Sequence, residues 1–310
     1  MFFDEDQAAL FIFDDTGAYH NKIHRIGQGP DEYRYIYDFY IDTLQSQIGM
    51  LSPFGQLFHY GFNGVLIKKT DLPNPPPAYR RMELLPDQTC LFWSFPDDEA
   101  EYDVLNIISM ETGEKTGGFD YNENDVLTTW TSQDFHSDEQ GNVYLIRSFI
   151  NEVFMVTPDG LKIAYAWDFG EQNVNVNKHK FPNTIDRSNN TILFMNAFNN
   201  GETSRYLPYC FSYQNQTNLY YYAYMRFAFM QRKHLFYNKK TSEYHHFERT
   251  EEGILINSPL LMTNEYMLAE FSYEEKELIK PYLFSDKDRK ILTDFREDDN
   301  PCLVKFTFKK

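Results

Sequence analysis

The chain has one clustered pair of imidazoles, in the segment His245-His246-Phe247-Glu248. On a β-strand alternate side chains share a face, so His246 and Glu248 would point one way and His245 the other. Imidazole nitrogens and carboxylates bind transition-metal ions, but two ligands do not complete a site. His136 and His234 could join His246 and Glu248 from neighbouring strands. This set gives the alternative hypothesis of a metal-dependent hydrolase or lyase.

A second group of residues could bind a ligand without catalysing a reaction. Aromatic side chains alternate with Asn, Gln and Ser over a short stretch at Tyr206, Tyr209, Phe211, Tyr213, Tyr220, Tyr221, Tyr222 and Tyr224. Most of these rings are expected to pack inside a β-sheet. Any that face solvent, with Tyr220 and Tyr222 as candidates, would form a stacking platform for a sugar or a peptide.

Three short motifs resemble enzyme or metal signatures only in part. Gly27-Gln28-Gly29 lacks the third glycine of a dinucleotide loop, because Glu32 occupies that position. Asp168-Phe169-Gly170 has no kinase elements before it, and Asp120-x-Asn122-x-Asn124 is followed by Asp125 where a calcium loop needs glycine. A looser calcium contact stays open at 120–124. The sequence contains no complete catalytic constellation and predicts no cofactor.

Period-2 alternation of apolar residues dominates the chain and predicts an all-β fold. The clearest unit is 135–169, where a turn at Asp138–Asn142 and another at Thr157–Gly160 separate short strands. Units of the same kind lie at 10–19, 38–69, 81–119, 135–169, 191–247 and 254–308. Six repeats of about four strands predict a six-bladed β-propeller of four-stranded antiparallel blades, with 1–310 as a single domain.

Two further expectations concern the ends of the chain and one helical segment. The first unit is short, so the first blade is expected to be incomplete or to be closed by the C-terminal strand at 301–308. Tyr273–Lys280, just before Pro281, is the best helical segment and is predicted to be a two-turn insertion between strands.

Charge limits the partners of the chain. Lys and Arg total 29 against 46 Asp and Glu, which gives a net charge of −17. This charge repels nucleic acid and anionic membrane surfaces unless a local basic patch overrides it, so nucleic acid is not expected as a partner. No run approaches the roughly 20 apolar residues of a transmembrane segment. The acidic start Met1–Asp6 does not have the pattern of a signal peptide.

The segment His24-Arg25-Ile26-Gly27-Gln28-Gly29-Pro30-Asp31-Glu32-Tyr33 resembles the G-x-G-P-x-E-Y signature of a family of six-bladed propellers. These are envelope proteins of gut anaerobic Gram-negative bacteria, related to NHL and TolB-like propellers. The segments 153–170 and 299–304 are similar to the same family. Members usually carry a lipoprotein leader and further strands before the part that matches Leu10–Ile23, whereas this sequence begins almost at that part.

The resemblance implies an envelope-associated propeller and no agreed catalytic residues. One loop contains four candidate binding residues and could border the central channel: Arg25, Gln28, Glu32 and Tyr33. The structural alternative is that Glu32 and Tyr33 only hold this loop in place by hydrogen bonds. The favoured prediction is a non-enzymatic propeller that binds a glycan, a peptide or an envelope protein at one end of its ring. The alternative is an envelope hydrolase or lyase with a His and carboxylate metal site at the channel.

Overall fold

A computed structural model describes residues 1–14, 17–72, 79–94, 105–119, 135–148, 150–157, 159–173, 209–227, 231–299 and 302–308. The chain forms two compact units. One contains 1–125, 141–143 and 155–162, and the other contains 126–140, 144–154 and 163–310. The candidate calcium loop at 120–124 and Tyr206 lie outside the described residues.

Three antiparallel sheets belong to the first unit, and in each the strands pair in sequence order. The first sheet has β1 (Phe2–Asp4), β2 (Ala9–Phe13) and β3 (Tyr19–Ile23). The second has β4 (Asp38–Asp42), β5 (Gln47–Ser52), β6 (Gln56–Gly61) and β7 (Leu66–Asp71). The third has β8 (Tyr79–Leu84), β9 (Thr89–Ser94), β10 (Leu105–Ser109) and β11 (Lys115–Phe119).

Three further sheets follow the same order. The fourth has β12 (Phe135–Ser137), β13 (Val143–Leu145), β14 (Glu152–Thr157) and β15 (Gly160–Ala166). The fifth has β16 (Tyr209–Gln216), β17 (Tyr220–Phe227), β18 (Gln231–Asn238) and β19 (Tyr244–Phe247). The sixth has β20 (Asn257–Met262), β21 (Tyr266–Phe271) and β22 (Cys302–Thr307). The six sheets are the blades of a six-bladed β-propeller, which confirms the predicted fold class.

The two ends of the chain lie in different sheets. The first sheet contains three described strands, as the short first repeat predicts. The C-terminal strand β22 pairs antiparallel with β21, with Phe271 opposite Cys302 and Tyr266 opposite Thr307. The alternative in which the C-terminal strand closes the first blade is therefore wrong, because β22 completes the sheet of its own repeat.

The predicted helical insertion lies between β21 and β22 and is longer than expected. It runs through a 3₁₀ turn at Tyr273–Glu275, helix α1 (Lys276–Ile279), a 3₁₀ turn at Lys280–Tyr282 and helix α2 (Asp286–Asp294). Helix α2 was not predicted from the sequence, although Ser285 caps it by accepting a hydrogen bond from the Asp288 N–H (3.0 Å). No helix in the described part of the chain has the length and apolar character needed to cross a membrane.

A glycine in the second sheet makes room for an aromatic ring. Gly49 lies directly opposite Tyr40 in the β4–β5 pair, and a Cβ at Gly49 would approach the Tyr40 ring to 2.2 Å. The Tyr40 ring is buried, and its hydroxyl contacts His59 Nδ1 at 3.3 Å, so it has little freedom to move. We expect Gly49→Ala to lower the free energy of unfolding by about 2–3 kcal/mol in urea denaturation, through overpacking.

Gly117→Ala is the matched control, because a Cβ at Gly117 in β11 would meet its nearest neighbour at an ordinary 3.7 Å. We expect it to change the free energy of unfolding by less than about 1 kcal/mol. Equal stability of the two variants would contradict the packing described for Tyr40.

Candidate functional site

The structure gives two of the predicted loop residues a structural role. The buried Tyr33 hydroxyl donates to the Ala8 carbonyl (2.9 Å) and accepts a hydrogen bond from the Arg25 N–H (3.1 Å). The Glu32 carboxylate accepts from the Gly29 N–H (2.8 Å) and occupies the space that a Cβ at Gly27 would need. These contacts tie the loop to the first sheet.

The other two loop residues, Arg25 and Gln28, have exposed side chains. Their predicted part in ligand binding stays a prediction.

The aromatic residues of the fifth sheet are mainly core. Tyr222 is fully buried, and its hydroxyl hydrogen-bonds with His234 Nδ1 (2.8 Å). Tyr220 is half-buried, with its ring edge-on to Phe236 and Phe308 at centroid distances of 6.2 and 5.7 Å. A stacking platform that includes Tyr222 is not supported, because both its ring and its hydroxyl are engaged inside the sheet.

The four residues of the metal hypothesis do not form a cluster. His234 Nδ1 and Nε2 are both engaged, the latter with the Ile256 carbonyl at 3.1 Å. The side chains of His246 and Glu248 are exposed, whereas His136 is buried. Across the described ranges, no three His, Cys, Asp or Glu side chains are placed to hold a metal ion.

A further group of residues in the second unit lies between the fourth and fifth sheets. It is called here the polar layer. Its members are polar and aromatic side chains together with one lysine: His136, Tyr144, Tyr165, Gln214, Gln216, Tyr221 and Lys239.

The strands of the two sheets place these side chains against one another. The His136 ring in β12 stacks on the Tyr144 ring in β13, with centroids 5.0 Å apart and an interplanar angle of 16°. The Tyr165 ring in β15 contacts the Tyr221 ring in β17 at 4.2 Å. Gln214 and Gln216 share a face of β16, because alternate residues of a strand point the same way.

Several hydrogen bonds hold the polar layer in position. The indole N–H of Trp167 donates to Gln214 Oε1 (2.8 Å), and the Tyr144 hydroxyl donates to Asp138 Oδ2 (2.8 Å). Lys239 Nζ donates to Gln216 Oε1 (3.1 Å) and lies 4.0 Å from the centre of the Tyr221 ring. The layer is therefore orientated by partners on both sheets.

The turns beside the polar layer are joined in the same way. The Glu139 carboxylate, in the β12–β13 turn, accepts hydrogen bonds from the amides of Asn218 and Asn264 (2.6 Å for Asn264). The Gln140 amide donates to Asn218 Oδ1 (2.7 Å). These contacts connect turns of the fourth, fifth and sixth sheets and support the geometry of the layer.

Four buried polar atoms in the polar layer have no hydrogen-bond partner within the part of the chain that the structure describes. They are His136 Nδ1, His136 Nε2, the Tyr165 hydroxyl and Gln214 Nε2. Buried polar atoms in folded proteins are nearly always hydrogen-bonded, and exceptions often mark a site where water or a ligand supplies the partner. Their concentration in one layer makes it the candidate binding site.

Burial keeps the imidazole and the phenols of this site uncharged at neutral pH. It lowers the pKa of His136 to about 3, against a smaller opposing effect of the Asp138 carboxylate. It raises the pKa of Tyr144 to about 12 and that of Tyr165 well above its usual value. At neutral pH the unpartnered atoms are therefore those of a neutral imidazole, a phenol and an amide, which can donate and accept hydrogen bonds.

His136 was predicted from the sequence only as a candidate metal ligand, and Tyr144, Tyr165 and Gln214 were not predicted as site residues. The signal that could have drawn attention to Gln214 is an amide inside an otherwise aromatic strand, Tyr209–Gln216. Tyr165 and Tyr144 carry no comparable signal, because their importance depends on which strand of another sheet they face.

Solved structures share this fold at low sequence identity. One is a Bacteroides fragilis protein named as a candidate exported protein, which is 18% identical over 99% of this chain and 86% of its own, with a TM-score of 0.74. Another is a DUF4221 family member from Bacteroides vulgatus, 10% identical over 77% of this chain and 75% of its own, with a TM-score of 0.50. These likenesses concern the fold alone.

No curated protein matches the chain in sequence. The profile of one family, described as a domain of unknown function (DUF4934), matches residues 1–307. Because this match extends over nearly the whole sequence, the chain belongs to the DUF4934 family.

Proposed function

We propose that the chain is a non-enzymatic binding propeller of the bacterial cell envelope, and that it holds a neutral, hydroxyl-rich ligand such as a glycan residue in the polar layer. The observation that carries this proposal is the group of buried, unpartnered polar atoms at His136, Tyr165 and Gln214. The export-related name of the Bacteroides fragilis neighbour supports the envelope location. We also propose that the chain is related to NHL and TolB-like propellers and that G-x-G-P-x-E-Y is a signature of its family. Residues 1–310 form one domain in this proposal.

The chemistry of the layer favours a carbohydrate over a charged ligand. A sugar hydroxyl both donates and accepts, as do a neutral imidazole and a phenol, and the Gln214 amide adds a donor. The cation of Lys239 is already engaged with Gln216 and the Thr217 carbonyl (2.7 Å), with the Asp138 and Glu139 carboxylates nearby.

A pair of Tyr→Phe variants separates binding from folding. Tyr165→Phe removes an unpartnered hydroxyl, so we expect the free energy of unfolding to stay unchanged or to rise by about 1 kcal/mol. The same variant should weaken binding of the glycan about tenfold, because the ligand loses a hydrogen bond. The ligand is first found on an array of neutral glycans and its affinity is then measured by titration calorimetry.

Tyr222→Phe is the matched control, since the hydroxyl of Tyr222 has a partner in His234. It should lower the free energy of unfolding by about 1–3 kcal/mol and leave the affinity for the glycan unchanged. An array with no neutral glycan bound, or a Tyr165→Phe protein that binds as tightly as the wild type, would count against the proposed function.

A further inference from the structure

The β17–β18 hairpin places two arginines directly opposite each other. Arg226, near the end of β17, pairs with Arg232, near the start of β18, in the antiparallel register. Opposed residues of neighbouring strands point to the same side of a sheet, so the two guanidinium groups project from one face. Arg226 is exposed and Arg232 is half-buried. Two like charges in this position repel each other and destabilise the sheet unless an anion lies between them.

The polar groups beside this arginine pair are neutral. Arg232 Nη1 donates a hydrogen bond to Asn257 Oδ1 at the start of β20. Burial raises the pKa of Tyr224, and the positive charges of Arg232 and Arg226 oppose this increase, so both guanidinium groups lie near the Tyr224 hydroxyl. Tyr224 also shares a face of β17 with Arg226, because the two are separated by one residue. Tyr224, Arg226, Arg232 and Asn257 are together called the arginine site.

No carboxylate pairs with the two arginines within the ranges that the structure describes. Ion pairs there are formed by other basic side chains, among them Lys162, Arg249, Lys280 and Arg289. The carboxylate of Glu270, opposite Asn257 in the β20–β21 pair, is not an ion-pair partner of either arginine. The charge of the arginine site is therefore left without a counter-charge from the described part of the chain.

The sequence around the arginine site is basic, although the chain as a whole is acidic. Between Glu202 and Glu243 there is no acidic residue. The same segment contains six basic residues: Arg205, Arg226, Arg232, Lys233, Lys239 and Lys240. The segment thus carries 6 − 0 = +6, against −17 for the chain. Strands β16, β17 and β18 belong to it, so this part of the fifth sheet attracts anions.

From this arrangement we infer that the arginine site binds a carboxylate or phosphate group of a small ligand. Guanidinium groups form paired, charge-assisted hydrogen bonds with both of these oxyanions. An oxyanion between Arg226 and Arg232 would remove their repulsion, and the Asn257 amide nitrogen would add a donor. The inference does not depend on the polar layer, because that layer lies between the fourth and fifth sheets, whereas Asn257 belongs to the sixth.

The experiment is a titration of the full chain with inorganic phosphate at constant ionic strength, followed in the ¹H–¹⁵N spectrum of the arginine side chains. We expect the Nε resonances of Arg226 and Arg232 to shift together and to saturate with one dissociation constant. A parallel titration uses sodium glucuronate. Saturation by phosphate alone indicates a phosphate ligand and saturation by glucuronate alone a carboxylate ligand, and either result supports the site.

Variants of Arg226 test its part in the arginine site. Arg226→Gln should weaken the affinity for the oxyanion at least tenfold, because a charged pair of donors is lost. Arg226→Lys should restore only part of the affinity, since an ammonium is a point charge without a planar pair of donors. In chloride buffer Arg226→Gln should melt at the same temperature as the wild type or higher, because the repulsion is removed.

Arg34→Gln is the matched control, because Arg34 is an exposed arginine of the first unit and its replacement changes the net charge equally. It should leave the affinity unchanged, and the Arg34 resonance should not shift in the wild type. Absence of a saturable shift with both anions, an equal shift at Arg34, or unchanged affinity of Arg226→Gln would overturn the inference. So would a lower melting temperature of Arg226→Gln in chloride buffer, which would assign Arg226 to the stability of the sheet.

Discussion

Acidification from pH 7 to pH 4 is expected to lower the free energy of unfolding by about 5 kcal/mol, a large part of a typical domain's stability. The cause is a set of three buried histidines: His59, His136 and His234, exposed by 1%, 2% and 0%. Burial lowers their pKa values to about 4, 3 and 4. Each therefore stays neutral in the folded protein well below the pH at which it takes up a proton when unfolded.

The sign of this effect follows from proton uptake. Below about pH 6.5 the unfolded chain protonates these histidines while the folded chain does not, so acid favours unfolding. Asp38 acts in the opposite direction, because burial raises the pKa of its carboxyl to about 7, and its contribution to stability decreases as pH rises from 3.8 to 7. The three histidines together outweigh the one carboxyl, so the free energy of unfolding falls by about 2 kcal/mol per pH unit between pH 6 and pH 4.

Urea denaturation at pH 7, 6, 5 and 4 measures this slope. His136→Phe should reduce it by about 1.4 kcal/mol per pH unit, because one proton is no longer taken up on unfolding. His136 is the best choice of the three, since its ring nitrogens have no hydrogen-bond partner to lose within the described residues. His245→Gln, at an exposed position on β19, controls for the loss of an imidazole outside the core. A slope that is the same in wild type and His136→Phe would contradict a buried, neutral His136.

Tyr33→Phe is expected to lower the free energy of unfolding by about 2–4 kcal/mol. The Tyr33 hydroxyl forms short hydrogen bonds with the Ala8 carbonyl and the Arg25 N–H, and it also lies 3.5 Å from the Ile23 carbonyl. Without the hydroxyl both groups lose that partner next to a buried ring, and each such loss costs about 1–3 kcal/mol. Chemical denaturation at neutral pH provides the measurement.

Tyr35→Phe controls for the loss of a phenol in the same segment, since Tyr35 is 61% exposed. Its effect should be below about 0.5 kcal/mol. If both variants were equally stable, the loop at 24–33 would not be anchored through Tyr33, and the binding interpretation of that loop would gain weight over the structural one.

The blades could be predicted because their signals are local. Alternation within strands and turns such as Asp138–Asn142 depend on residues that are near one another in sequence. The position of β22 was not decided by such signals, because pairing with β21 or with the first blade uses the same alternating pattern. Helix α2 could have been found from Ser285 and Asp288, which form a recognisable capping pattern.

The candidate site was harder to predict, since it depends on contacts between sheets. Sequence patterns identified His136 as a chemically capable residue, but its surroundings are supplied by Tyr144 and by strands of the fifth sheet. Tyr222 has the same residue type and strand environment as Tyr221, yet one ring is fully buried against His234 and the other contacts Tyr165. Only the three-dimensional arrangement distinguishes them.

The most direct test of the proposed function is the ¹⁵N spectrum of the histidine side chains during titration with a neutral glycan that the protein binds. We expect the two ring nitrogens of His136 to shift, because the ligand becomes their hydrogen-bond partner. The ring nitrogens of His59 and His234 should not shift, because they already have partners. Those of His59 contact Tyr40 and Thr70, and those of His234 contact Tyr222 and the Ile256 carbonyl. Saturable binding of a glycan with no change at His136 would contradict the polar layer as the binding site.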